Sequence, residues 1–145
     1  MRAKLINDAH ERTFALIFDK GDEVVATLER FAAEHQLVAS RMTAIGAFES
    51  VALGYFNWER KEYDRTEFNE QVEVLSLIGD FAHDGEGPKL HAHVVLGRRD
   101  SSAIGGHLLH AIVRPTLEVL LTDSPNYLRR VKDAESGLAL IKIGS

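Results

Sequence analysis

The sequence predicts an α+β fold: a mostly antiparallel β-sheet with one main amphipathic helix. Three observations point there. One segment, residues 23–35, repeats apolar residues at helical spacing. Almost everything after residue 40 divides into short runs of strand-forming residues. The connections between those runs are hairpin-sized, and short connections join antiparallel neighbours. A parallel doubly wound sheet would need repeated helices, and the chain offers one good one.

The first predicted element is a strand over residues 13–18, Thr-Phe-Ala-Leu-Ile-Phe. Asp19-Lys20-Gly21-Asp22 is a turn, with Asp22 as the natural helix N-cap. In the helix, Val24, Val25, Leu28, Phe31 and Ala32 form the apolar side, opposed by Glu23, Glu29, Arg30 and Glu34. Residues 40–48 and 51–58 read as a strand pair joined near Glu49-Ser50. Gly46 and Gly54 fall inside it, where glycine marks a bulge or a close backbone approach. Residues 59–70 are polar and read as a turn and a partly ordered edge. A strand over 72–78, a glycine-rich loop over 79–88, a strand over 90–97 and a turn at 99–102 follow. Residues 107–113 and 116–122 are two further strands, 126–132 a short helical turn, and 138–143 a last strand.

Composition bounds the function. The chain has 145 residues and reads as a single domain over 1–145, long enough for a real core. It has no cysteine, so any metal must be held by His, Asp, Glu or carbonyl oxygen. Net charge is −5, and the basic clusters Arg60-Lys61, Arg98-Arg99 and Arg129-Arg130-Lys132 are short and sit among acids. A nucleic-acid binder usually carries a basic stripe, so tight unaided DNA binding is disfavoured. Residues 1–8 lack the apolar segment of a signal peptide, and no apolar run nears the roughly 20 residues of a membrane helix. A cytoplasmic location is the default expectation, with no membrane partner.

The chemistry concentrates at Leu90-His91-Ala92-His93-Val94-Val95-Leu96-Gly97. Strand period puts His91 and His93 on one face. Gly105-Gly106-His107 follows, and a returning strand would bring His107 to the same pair. Neutral imidazole is a good zinc ligand, and three leave one tetrahedral position open. The competing reading is a set of half-buried histidines that cross-link strands by hydrogen bonds. His83 and His110 are reserves, His110 having the opposite parity to His107. His10 and His35 read as surface. Glu73 and Glu118 each interrupt an apolar strand. Either could serve a metal-bound water or orient an imidazole, but a salt bridge to Arg41 or Arg114 is the plainer expectation. Asp80 and Asp84 read as turn residues. Tyr55, Phe56, Trp58 and Tyr63 form an aromatic cluster, read as core plus an oligomer contact rather than a base-stacking platform.

These residues resemble the plants-and-prokaryotes-conserved (PPC) domain. The resemblance runs from Phe14 to about Thr122. Its most specific parts are Pro88-Lys89-Leu90-His91-Ala92-His93, Gly105-Gly106-His107-Leu108 and Thr116-Leu117-Glu118-Val119. Gly21-Asp22, Ile45-Gly46-Ala47 and Glu73-Val74-Leu75-Ser76-Leu77-Ile78-Gly79 support it. The resemblance implies an α+β domain and a homotrimer. In land plants the domain is fused to an AT-hook that enters the DNA minor groove; the Arg-Gly-Arg-Pro of that element does not occur in these 145 residues. Some prokaryotic members are similar to metal binders through the histidines matching His91, His93 and His107. The implied function is a stand-alone, homotrimeric metal-binding module, using zinc or another divalent transition metal, with a regulatory or weakly DNA-associated role. The alternative is a metal-dependent enzyme, a hydrolase or lyase, built on the same three histidines; no catalytic residue or small-molecule ligand is named by the sequence.

Overall fold

The computed structural model describes residues 1–8, 10–124 and 128–142, with residues 3–8 described by their backbone alone. The elements are β1 (Arg2–Asp8), β2 (Arg12–Phe18), α1 (Val24–Glu34), β3 (Ala39–Asn57), β4 (Glu62–Phe68), β5 (Val72–His83), β6 (Pro88–Gly97), β7 (Ala103–Asp123), β8 (Arg129–Lys132) and β9 (Ala139–Lys142). Among the described residues, all pairings are antiparallel except the bridge between β5 and β8. The α+β architecture is therefore as expected.

Four long strands close on themselves. β3 pairs with β5 on one side and β7 on the other, while β6 joins β5 to β7. The ring's inner face is filled by alternate residues such as Met42, Phe48, Leu77, Phe81, Val94, Leu96, Leu117 and Val119. The stripe Val24, Leu28, Phe31 and Ala32 of α1 packs into the same core. Each of these side chains larger than alanine contributes roughly 1.5–3 kcal/mol by leaving water. A polar tie at the sheet end joins three strands: Asp123 accepts from Ser40 Oγ at 2.8 Å and from Arg12 at 2.5 Å.

Several expectations are corrected. The two strands expected over 40–58 are one strand, β3, and the two over 107–122 are one strand, β7. The reason in β3 is local. Its register shifts at Gly46, Phe48 and Ser50, and each bulge re-phases the inside–outside alternation, which on the sequence reads as a break. Gly46 is needed there, because its φ is +151° and a Cβ would strike the Thr116 carbonyl. In β7 the apparent break is Pro115, which the strand carries through in its middle. The expected edge at 59–70 contains a regular strand, β4, and β1 was not foreseen. The glycine-rich loop shrinks to the tight turn between β5 and β6. The expected helical turn at 126–132 is strand from Arg129, with Asn126 and Tyr127 outside the described residues, as Ile143 is for the last strand. The helix N-cap is Glu23, not Asp22: its carboxylate accepts from Val25 N at 3.1 Å and Ala26 N at 2.6 Å. Asp22 pairs instead with the amino terminus at 2.7 Å. No described helix is long and apolar enough to cross a membrane.

Candidate metal centre

In β6, Ala92, Val94 and Leu96 are buried while His91, His93 and Val95 point to the outer face of the ring. The β6–β7 register sets His93 directly opposite His107, and opposed residues share a face. The three imidazoles meet there, with centroids 5.1 Å (91–93), 5.3 Å (91–107) and 5.4 Å (93–107) apart. One ring nitrogen from each lies within 4.8 Å of the others. His91 Nε2 and His93 Nε2 are 3.2 Å apart. A tetrahedral ion with bonds of about 2.0–2.1 Å holds neighbouring ligand nitrogens ~3.3 Å apart. One pair thus stands at the required separation, and His107 needs a side-chain approach of roughly 1.5 Å or less. The expected convergence is present, and these three residues could hold a metal ion.

The glycines before His107 lie inside β7, past the turn. The chain reverses at residues 98–102, where Arg98 N donates to Ser102 O at 2.9 Å. Gly105 lies inside β7, where a Cβ would come within 2.8 Å of the Val94 carbonyl. It permits close approach of β7 to β6 rather than a turn.

Two of the three rings, His107 and His93, are held toward the neutral form. Burial, then the charges of His91, His93 and Arg130, push His107 down from 6.5 to about 4. Burial, then His91, also lowers His93. A neutral imidazole has a lone pair to offer. The His107 Nδ1 is buried with no hydrogen-bond partner, a costly arrangement unless its lone pair or proton is used.

Two neighbours were not legible as site residues. Asp80, expected in a turn, lies in β5 opposite His91 in register, and its Oδ2 is 3.7 Å from His91 Nδ1. Its other oxygen accepts from Arg130. Burial raises the Asp80 carboxyl, but His91 and the Arg130 guanidinium outweigh it and hold it below the ordinary range. Tyr63, on β4, stacks on His107 with centroids 4.5 Å apart and planes at 22°. A signal for Asp80 existed: a hairpin turn centred on Gly85-Glu86 puts residues 80 and 91 opposite each other. For Tyr63 there was none, because β4 itself was not recognised.

The remaining candidates lie elsewhere. His110 turns away to Glu23 at 3.1 Å, as its parity requires. His83 Nδ1 accepts from Gly85 N at 3.0 Å in the turn, and Asp84 caps the same turn. His10 and His35 are exposed, His35 resting on Phe31. Glu73 and Glu118 are exposed and outside the histidine group. The salt bridges expected of them are made by others: Arg41 pairs with Glu11 at 3.6 Å and Arg114 with Glu49 at 3.9 Å. The aromatic row is not core, since Tyr55 and Trp58 are largely exposed, and only Tyr63 reaches the histidines. A shallow cavity of about 390 Å³ opens beside His91 and His93, with Arg41, Thr43, Ile78 and Asp80 in its wall.

Residues 7–125 match the Plants and Prokaryotes Conserved (PCC) domain. The chain belongs to this family. Several solved structures superpose over nearly the whole chain. A metal-containing protein from Archaeoglobus fulgidus is 34% identical, with a TM-score of 0.83, covering 98% of this chain and 97% of that one. A protein from Bacteroides thetaiotaomicron described as a candidate DNA-binding protein is 28% identical, with a TM-score of 0.87 and coverage of 97% and 96%. A plant- and prokaryote-conserved protein from Pyrococcus horikoshii is 29% identical, with a TM-score of 0.85 and coverage of 92% and 93%. No curated protein matches the chain.

Proposed function

We propose that this PCC-domain chain is a single-domain, homotrimeric metal-binding module, with His91, His93 and His107 holding zinc or another divalent transition metal. The observation that carries the reading is the convergence of three outward-facing imidazoles, with two Nε2 atoms already 3.2 Å apart. Imidazole ligands suit zinc and its transition-metal neighbours, and the metal-containing Archaeoglobus fulgidus relative supports the same reading. A bound zinc would supply Lewis acidity and lower the pKa of water in its fourth position. The protein's part is to orient the three rings and to favour the neutral form of His93 and His107. Homotrimer formation is supported by the apolar outer face beside the site, where Ile45, Leu75, Ile78 and Leu120 are each more than half exposed. A DNA-associated regulatory role follows the description of the Bacteroides thetaiotaomicron relative. The net charge of −5 makes any such association weak.

A second reading, a metal-dependent hydrolase or lyase, is favoured by the cavity beside His91 and His93, which gives a small substrate room. Asp80 faces that cavity but is held by Arg130, which suits it to orienting His91 rather than to moving protons.

Elemental analysis of the purified protein tests the metal reading. About one transition-metal ion per chain is expected, lost in His93→Ala and His107→Ala and kept in His35→Ala. Retention of stoichiometric metal by both site variants would overturn it.

A further inference from the structure

Arg130 lies on β8, outside the residues that match the family. Its side chain is 7% exposed. One terminal nitrogen donates to the Ala139 carbonyl at 3.1 Å, tying β9 to β8. The other donates to Asp80, whose second oxygen faces His91 Nδ1 at 3.7 Å. The Arg130 Nε is buried without a partner. A buried guanidinium with an unsatisfied nitrogen is a poor way to stabilise a hairpin, since an apolar residue of similar volume would do as well or better. Its geometry serves another end: Arg130 fixes one Asp80 oxygen and leaves the other aimed at His91. A carboxylate facing Nδ1 favours the tautomer that carries its proton there and leaves the Nε2 lone pair, 3.2 Å from His93 Nε2, free for a metal.

We propose that Arg130 is a positioning residue for the metal centre, acting through Asp80 on His91, and that the β8–β9 hairpin is thereby coupled to metal binding. This rests on the metal reading above. The hairpin is otherwise held to the body by few described backbone ties, chiefly His83 N to Leu128 O at 3.0 Å and Leu128 N to Val38 O at 3.2 Å. Segments so attached open locally at low cost. If docking of the hairpin favours the metal-ready His91, then metal must favour docking by the same factor.

The test uses the full chain and Zn²⁺ in competition with a chelator. Asp80→Ala should weaken Zn²⁺ binding about 10–100-fold, the usual effect of losing the partner of a metal-bound histidine. Arg130→Ala should weaken it about tenfold, at the lower end of that range. The double variant should bind no more weakly than Asp80→Ala alone, because the two act in series. Hydrogen exchange across residues 129–142 should slow on Zn²⁺ addition in the unaltered protein and not in Asp80→Ala. Wild-type affinity in Arg130→Ala, additive losses in the double variant, or exchange indifferent to Zn²⁺ would each overturn the proposal. If Arg130→Ala fails to fold, Arg130→Lys carries the same comparison, because it keeps the charge and loses the two-pronged donor. An unaltered protein that binds no Zn²⁺ defeats the metal reading itself; tight binding unaffected by Arg130 defeats this inference alone.

Discussion

Tyr63 lies flat against His107, 4.5 Å from ring to ring, and Gly54 is what lets it do so. A Cβ at position 54 would come within 2.8 Å of the Tyr63 ring. The stack withdraws one face of His107 from water. Burial of the ring as a whole is the leading cause of the low His107 pKa.

A pH dependence follows for the metal-free protein. His107 titrates at about 4 when folded and near an ordinary 6.5 when unfolded. Between those values the unfolded chain binds a proton that the folded chain does not. Its contribution to stability is full above about pH 6.5 and is lost as pH falls toward about 4. His93, lowered in the same direction, adds to this. Urea midpoints across that window should fall with pH, and His107→Gln should flatten the decline. An unchanged slope in the variant would show that His107 is not the group responsible.

Assembly should depend on the outer apolar face. Ile45, Leu75 and Leu120 border one concavity, and Ile78 and Val95 continue it to His93. Burial between subunits would recover roughly 1.5–3 kcal/mol for each fully covered side chain. The protein is expected to sediment as a trimer, and Leu120→Glu as a folded monomer by circular dichroism. A clean monomer of the unaltered protein at micromolar concentration would contradict this.

The helix and the shared face of His91 and His93 were legible because each rests on one period held over a short run, and the fold class and the approach of His107 because short connections return each strand beside the last. The continuity of β3 was not, because bulges around Gly46 and Phe48 twice change which residues face inward. Asp80 was hidden by its neighbours: glycines at 79, 85 and 87 suggest a long loop, whereas β5 runs on to His83. Arg130 could not have been found from pattern, since its role depends on where a four-residue strand docks. Side chains whose role comes from packing between elements distant in sequence leave no local spacing to read.

DNA binding should be weak and salt-sensitive. The net charge is −5, and the described arginines largely face acids, as in Arg98–Glu70 at 2.7 Å and Arg65–Glu67 at 2.9 Å. Electrophoretic mobility shifts with duplex DNA should vanish near physiological salt. Sequence-specific nanomolar binding there would restore a direct regulator.

X-ray absorption at the metal edge of the metal-loaded protein tests the central claim most directly. The account predicts three imidazole nitrogens at roughly 2.0–2.1 Å, with the outer-shell scattering of imidazole rings and one further light ligand. A shell of oxygen alone, or a spectrum unchanged in His93→Ala and His107→Ala, would contradict it.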